Sequence, residues 1–314
     1  MSARRTDYVT HPACALHDMG DGHPEQPARL VAIERQLAAD GLLDRLQRQT
    51  AGPASDAQLA RAHTPEMLDG LARMAPRAAG QQRAVCPDTV MTHLSLDAAR
   101  HAAGAVVAAV DRVLSGAADA AFCNVRPPGH HAERGRAMGF CFYNNIAIGA
   151  LHALEAHGLQ RVAIIDFDVH YGNGTADIVA DDPRILLCSL YQYPLYPLLY
   201  PAGSAAGQSN LMLRRGDSSA EFRHGVSQTW VAALEAHAPE LVLFSAGFDA
   251  HTEDPLAELN LTDDDFAWVT RKVLQVTATS AQHRAVSALE GGYDLAALGR
   301  AASAHVASLM APEP

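Results

Sequence analysis

Asp166-Phe167-Asp168-Val169-His170 follows the run Arg161-Val162-Ala163-Ile164-Ile165, and Ser245-Ala246-Gly247-Phe248-Asp249 follows Leu241-Val242-Leu243-Phe244. Short runs of branched or large apolar residues, closed by Gly or a charge, read as buried parallel strands. Alternate residues of an extended segment point to one side. Asp168 and His170 can therefore aim at one point, and Asp249 can arrive from a neighbouring strand. Two carboxylates and an imidazole with an open position describe a catalytic metal site, zinc being the best match. A hydrogen-bonded network at strand ends would use the same residues, so either segment alone leaves both readings open.

Two further strand ends carry reactive groups. Ala121-Phe122-Cys123-Asn124-Val125 leads into Arg126-Pro127-Pro128-Gly129-His130-His131. The Pro-Pro-Gly turn restricts the backbone, so both imidazoles can be held in one cleft. Histidine titrates near neutrality and is the commonest general acid or base; a surface His pair is the competing explanation. Ala285-Val286-Ser287-Ala288-Leu289 leads into Glu290-Gly291-Gly292-Tyr293-Asp294. The Gly pair permits close backbone approach and could turn the Tyr293 ring into a cleft.

Together these segments resemble the histone deacetylase family, which includes lysine deacetylases, bacterial relatives, acetylpolyamine amidohydrolases and acetoin-utilisation proteins. The resemblance runs from about Tyr8 to Ala307. It is carried by His23-Pro24-Glu25-Gln26-Pro27-Ala28-Arg29-Leu30, the Arg126 to His131 turn, Gly139-Phe140-Cys141-Phe142-Tyr143-Asn144-Asn145, Asp166 to Thr175, Ser245 to Pro255, and Glu290 to Leu295. The Glu-Gly-Gly-Tyr string and Asn173 look more like the class II and bacterial branches. The resemblance implies one arginase/deacetylase-like catalytic domain over residues 1–314. Its fold would be a doubly wound, mostly parallel sheet of about eight strands flanked by helices.

The same resemblance implies the chemistry, hydrolysis of an amide, residue by residue. Asp168, His170 and Asp249 would hold one zinc per chain; Fe(II) or Co(II) would also suit oxygen-rich ligation. His131 would be the general base, and His130 its more buried partner. Tyr293 would donate to the carbonyl oxygen, a contribution worth about 10²–10³ in turnover. Asp166 would accept from His130. Asn173 would face His131, and an amide there leaves the imidazole neutral more readily than a carboxylate would. Gly139 and Phe140 resemble one side of a narrow substrate tunnel, with Tyr196 on the other. Leu256, Gly291 and Gly292 would complete the substrate site. The loop from 191 to 203 departs from the family in spacing. Arg29 resembles a buried arginine beside an acetate exit channel, though as a bare residue it reads as a surface helix charge. Ser189, Leu190 and the main-chain oxygens of Asp166, Asp168 and His170 resemble a structural potassium site. Tyr171 replaces a histidine whose side chain would point away from the metal. Glu290 and Asp254 are expected to be structural.

Composition agrees with a soluble enzyme. At 314 residues the chain can bury a large core. Ala-rich helical stretches, such as Leu96 to Leu114 and Ser227 to His237, alternate with the strands, and Met74 to Gln82 reads as a surface loop. A net charge of −11 weighs against nucleic acid or an anionic membrane and is compatible with lysine-rich or polyamine substrates. Five cysteines without paired spacing fit reduced thiols in a cytoplasm, and Cys141 is expected near the tunnel. Met1-Ser2-Ala3-Arg4-Arg5 precedes no apolar run, so neither a leader peptide nor a membrane span is expected. No assembly segment is visible, and the oligomeric state stays open.

Three other functions fit parts of this pattern. An acetylated polyamine could replace acyl-lysine, but one polyamine-selective branch carries an acidic residue after its Asp-Pro pair, where this chain has Leu256. A two-metal ureohydrolase would need carboxylates where Asn173 and His251 stand. A catalytically dead acyl-lysine binding module would need neither His130 and His131 nor Tyr293.

Overall fold

The computed structural model describes residues 4–200 and 207–311. The leader reading at Met1 to Ala3 and residues 201–203 of the 191–203 loop lie outside that range.

The strands are β1 (Thr6–Thr10), β2 (Gln47–Thr50), β3 (Arg83–Cys86), β4 (Thr89–Met91), β5 (Ala120–Cys123), β6 (Val162–Asp166), β7 (Ile185–Tyr193), β8 (Gln208–Arg214), β9 (Leu241–Ala246) and β10 (Ala285–Leu289). The helices are α1 (Ala28–Ala39), α2 (Asp56–Ala62), α3 (Pro65–Met74), α4 (Ser95–Leu114), α5 (Asn145–His157), α6 (Asn173–Val179), α7 (Ser219–His237), α8 (Asp263–Val276), α9 (Ala278–Ala281) and α10 (Leu295–Met310). One eight-stranded sheet runs in the order β2-β1-β5-β10-β9-β6-β7-β8, and every neighbouring pair is parallel. The mostly parallel sheet expected from the sequence is thus parallel throughout. A separate antiparallel pair, β3 and β4, follows the Met74 to Gln82 loop.

All four central strands, β5, β10, β9 and β6, are buried along their whole length. Burial on both faces explains why they read as continuous apolar runs rather than alternating ones. The register aligns Phe122, Ser287 and Phe244 in one row. That row faces α10, where the His305 ring meets Phe122 and Phe244 edge-on. Residues one step along the strands face the opposite layer. A Cβ on Gly149 of α5 would lie 3.2 Å from Leu243 and 2.5 Å from Val106 of α4, so only glycine lets α5 sit this close. α7 begins eight residues before the expected Ser227, because Ser218 and Glu221 form a capping box that the apolar pattern does not reveal. All five cysteines are free. No helix among the described residues is long and apolar enough to cross a membrane.

The topology fixes where a site can form. After β6 the chain moves outward to β7 and β8, whereas after β9 it moves the other way to β10. The β6–β9 boundary is therefore a switch point, and the loops beyond it diverge to open a crevice at the carboxyl ends of the strands.

His305 makes the core sensitive to acid. Its ring nitrogens bond Thr270 Oγ1 at 2.6 Å and Ser287 Oγ at 2.8 Å inside a cage of Phe122, Phe167, Phe244 and Phe248. Burial lowers its pKa to about 3. The unfolded chain takes up a proton on this ring near pH 6.5 that the folded chain refuses until about pH 3, so folding stability falls as pH falls across that window. Urea unfolding at pH 6 and pH 5 is expected to show wild type losing about 1 kcal/mol more than His305→Gln. Equal losses would show that the ring does not stay neutral.

Candidate functional site

Four neighbouring strands deliver every candidate reactive group at their carboxyl ends. β5 runs into His130 and His131, β6 into Asp168 and His170, β9 into Asp249, and β10 into Gly291 and Tyr293. Asp168 and His170 stand in bends beyond the end of β6, and Asp249 in a turn beyond β9, so the loops rather than an extended alternation bring them together. Asp166 closes β6 opposite Ser245 of β9, which brings the two following loops side by side.

Asp168, His170 and Asp249 offer three ligand atoms within 4.8 Å of one another, all buried. His170 Nδ1 lies 3.1 Å from Asp168 Oδ1 and 3.1 Å from Asp249 Oδ2. Backbone donors orient both carboxylates. Val169 N–H reaches Asp249 Oδ1 at 2.9 Å, and Gly291 N–H reaches Asp168 Oδ2 at 2.8 Å. Two oxygen donors and one imidazole, held by a surrounding set of hydrogen bonds, fit a divalent cation with an open position. The packing there is tight. A Cβ on Gly291 would stand 2.1 Å from Asp249 Oδ2 and 2.6 Å from Asp168 Oδ2.

The adjacent histidines sit in opposite electrostatic environments. His130 Nδ1 is 3.0 Å from Asp166 Oδ2. Burial alone would depress its pKa, but the Asp168 and Asp166 carboxylates hold it well above the usual histidine range. His131 Nδ1 is 2.7 Å from Asn173 Oδ1. The Asn173 amide is oriented from its far side, where Nδ2 donates to Glu133 Oε1 at 2.7 Å. The oxygen must therefore face His131, so Nδ1 of that ring carries the proton and Nε2 keeps its lone pair. Burial, then the neighbouring His130 and His170, push the His131 pKa well below the usual value. One ring is thus held charged and the other neutral. Divergence of this kind between two titratable neighbours separates an acid or charge-stabilising role from a base role.

Tyr293 closes the opposite wall. Its backbone N–H donates to Asp254 Oδ2 at 2.6 Å. Burial and the Asp249 charge raise its pKa well above the usual phenol value, so the hydroxyl remains a donor. The Arg29 guanidinium lies 5.0 Å from the Tyr293 ring centroid. Arg29 is buried, donating to Gly292 O at 2.7 Å, to Glu290 O, and to Glu25 Oε1 at 3.2 Å. Glu290 accepts from Gly129 N–H at 2.6 Å and His130 N–H at 3.1 Å, tying the β5 turn to the β10 turn.

A cavity of about 250 Å³ opens above these groups. His130, His131, His170, Gly139, Phe140, Tyr196, Leu256, Gly291 and Tyr293 line it. Gly139 packs on His131, where a Cβ would come within 2.4 Å of the ring at φ +58°. The Tyr196 ring meets His131 edge-on at 5.0 Å. Asp166 and Asn173 stand behind the histidines rather than in the wall. Gly292 is also outside the wall; at φ +118° its carbonyl turns inward to Arg29. β6 and β7 set Asp166 opposite Ser189, whose hydroxyl donates to Leu190 O at 3.3 Å.

Four residues of the site were not placed in its wall or its hydrogen bonds from the sequence. Asp88, Pro128 and Leu195 line the cavity, and Glu133 orients Asn173. Asp88 sits in the turn between β3 and β4, where Oδ1 accepts from Gly139 N–H at 3.0 Å and Thr89 Oγ1 at 2.6 Å. Cys86-Pro87-Asp88-Thr89 carries a turn signal, but nothing in it says that the turn folds back over the tunnel.

His251 does not join the metal donors. Its Nε2 lies 3.2 Å from Asp263, and its Nδ1 accepts from Glu253 N–H at 3.1 Å. A second cluster, Asp111, His152 and His157, lies on α4 and α5 away from the cavity. There Arg61 donates to His152 Nδ1 at 2.7 Å, so the Nε2 of that ring carries its proton toward Asp111 and is not free for a cation.

Comparison with known proteins matches a histone deacetylase domain to residues 23–309. The histone deacetylase-like amidohydrolase of Pseudomonas aeruginosa is 36% identical over 293 residues, covering 91% of this chain and 75% of that protein. The polyamine deacetylase HDAC10 of Homo sapiens is 36% identical over 301 residues, covering 91% of this chain and 44% of that protein. Among solved structures, the HDA15 HD domain superposes with a TM-score of 0.89 at 30% identity, covering 98% of this chain and 88% of that one.

Gly291→Ala tests the candidate metal donors without replacing any of them. Its Cβ would displace both carboxylates. Bound zinc after equilibrium dialysis is expected to fall by at least about tenfold in affinity. The far-UV circular dichroism should be unchanged. Undiminished zinc would mean that these carboxylates do not hold the ion.

Proposed function

The chain belongs to the histone deacetylase family, and on that premise we propose that it is a zinc-dependent amidohydrolase removing acetyl or other acyl groups from the ε-amine of lysine in proteins or peptides. The observation that carries this reading is the His131 tautomer: its Nδ1–H is committed to Asn173, so a neutral Nε2 is available at the floor of the cavity.

Asp168, His170 and Asp249 are the residues that would hold the zinc. The ion, when bound, polarises the substrate carbonyl and lowers the pKa of a bound water. His131 accepts the proton of the attacking water at Nε2 and returns it to the leaving amine. Tyr293 donates its hydroxyl to the carbonyl oxygen as negative charge develops there. His130, held charged by Asp166 and Asp168, stabilises the same developing charge from the other side. Gly139, Phe140 and Tyr196 enclose the aliphatic stem and exclude water. Arg29, beneath Tyr293, is the candidate for the acetate path, and the β6–β7 main chain with Ser189 for a structural potassium.

An acylated polyamine is the second reading, favoured by the likeness to a polyamine deacetylase. Against it, Leu256 is apolar, and Asp88 is the sole carboxylate in the cavity wall among the described residues. A polyamine carries further cations that need such partners. A binding module has no use for the paired histidines and Tyr293, and the bonds made by His251 support one metal per chain rather than two.

Two measurements test this. Zinc-loaded protein is expected to hydrolyse acetyl-lysine peptides faster than acetylputrescine or acetylspermidine, and Tyr293→Phe to lose about 10²–10³ in kcat. Turnover confined to the polyamines would exchange the substrate and keep the mechanism. In the pH profile of kcat/KM, rate is lost as His131 takes up a proton. Its lowered pKa puts that acid limb below pH 6.5. Asn173→Asp is expected to move the limb upward by about one pH unit or more, because a carboxylate favours the charged ring. An unmoved limb would remove His131 from the base role.

A further inference from the structure

Outside the reaction site, this chain has few cations and spends most of them on ion pairs or hydrogen bonds. Arg112 binds Asp7, Arg184 binds Asp182 and Glu155, and Arg300 binds Glu253 and Asp263. Several exposed arginines break the pattern, and three of them share one cleft. Arg73, Arg77 and Arg83 are exposed, and among the described residues their guanidiniums have no ion-pair or hydrogen-bond partner. All three line one cleft of about 580 Å³ with the amides of Gln81 and Gln82, and among the described residues no carboxylate lines it. On a chain of net charge −11 the three arginines make a local patch of the opposite sign, solvated and open to an anionic ligand. Guanidiniums bind carboxylate and phosphate oxygens through paired N–H donors, and side-chain amides add further donors.

The cleft is joined to the substrate tunnel along two paths. Arg83 opens β3, and the β3–β4 turn places Asp88 in the tunnel wall. Five residues of extended chain span at most about 18 Å. On the other path, Gln82 Nε2 lies 3.7 Å from the position of a Cβ on Gly20. The Gly20–His23 turn then brings the His23 ring edge-on to Phe140 of the tunnel at 4.8 Å. An extended peptide with its acyl-lysine in the tunnel therefore has the cleft within reach a few residues away.

We infer that the Arg73–Arg77–Arg83 cleft is a substrate-docking site that binds Asp or Glu side chains of the polypeptide flanking the acyl-lysine. The inference rests on the lysine-deacylase reading and names the sequence class that reading leaves open. The tunnel reads the acyl-lysine; the cleft reads acidic neighbours of it.

The test uses the zinc-loaded protein and three substrates: a capped acetyl-lysine amide, an acetyl-lysine peptide with neutral flanks, and the same peptide with two Glu three to five residues from the acetyl-lysine, on either side. At low ionic strength the better acidic peptide is expected to exceed the neutral one by about tenfold in kcat/KM, through KM, as two or three surface charge pairs allow. The advantage should disappear in about 1 M salt and in the doubly reversed variant Arg77→Glu with Arg83→Glu, whose folding is checked by thermal unfolding. Equal kinetics for both peptides in wild type, or an advantage that survives the reversal, overturns the inference. A thermal shift by inorganic pyrophosphate that depends on Arg77 and Arg83, without any peptide preference, assigns the cleft to a small oligoanion and overturns it too. Failure to hydrolyse the capped amide would instead overturn the deacylase reading, and the docking role with it.

Discussion

Everything at the centre of this fold answers to one constraint: Asp168 and Asp249 bring two carboxylates together where no water can screen them. Buried like charges at that spacing are tolerated only when a cation or donors offset them. His170 stands between the two, 3.1 Å from each. The amides of Val169 and Gly291 take the remaining oxygens. Glycine at 291 is a consequence of the same crowding, since a side chain there would occupy the space the carboxylates need. The charge on His130 follows as well, because Asp168 is the largest influence raising it.

A second layer of buried charge lies beneath. Glu25 is bonded by Arg126 and Arg29, both fully buried, and Arg29 continues to the carbonyls of Glu290 and Gly292. Burial opposes ionisation of Glu25, but Arg126 and its neighbours overcome it and hold the carboxyl down near 2. Removing one member would strand the others in a medium that cannot solvate them. The chain therefore ties the loop before α1 to the turns after β5 and β10 through charge, where an apolar contact would leave their relative position looser.

How far the sequence could be read follows from where the information resides. β6, β9, β5 and β10 are buried on both faces, so their apolar runs announced themselves, and the residues closing each run were found at once. The helix starting at Ser219 was found only in part: its buried stripe of Phe222, Val226, Trp230 and Leu234 begins in the first turn, but polar residues separate these four and only the Ala-rich second half stands out by composition. Tyr196 was placed by likeness in a loop of irregular spacing, and the structure brings it onto His131. Asp88 was missed for a physical reason: it lies in a short hairpin with little burial of its own, and its position depends on contacts with Gly139 and Thr89 that are distant in sequence or set by a turn. Glu133 was missed because it acts through Asn173. Local sequence reports strands and their ends well; it does not report which loop folds over which.

The hairpin and the strand ends also stand apart in how they are held. The strand ends are locked by the sheet, by buried charge and by glycines that admit no side chain. The hairpin is a two-stranded appendage outside the main sheet, fastened to the site at Gly139 and Phe140 by Asp88 and Thr89. On the proposed function, chemistry and selectivity would reside in parts with separate mechanical supports. Over evolutionary time the appendage can drift in length and composition, and so acquire new clientele, while the reacting groups stay as they are.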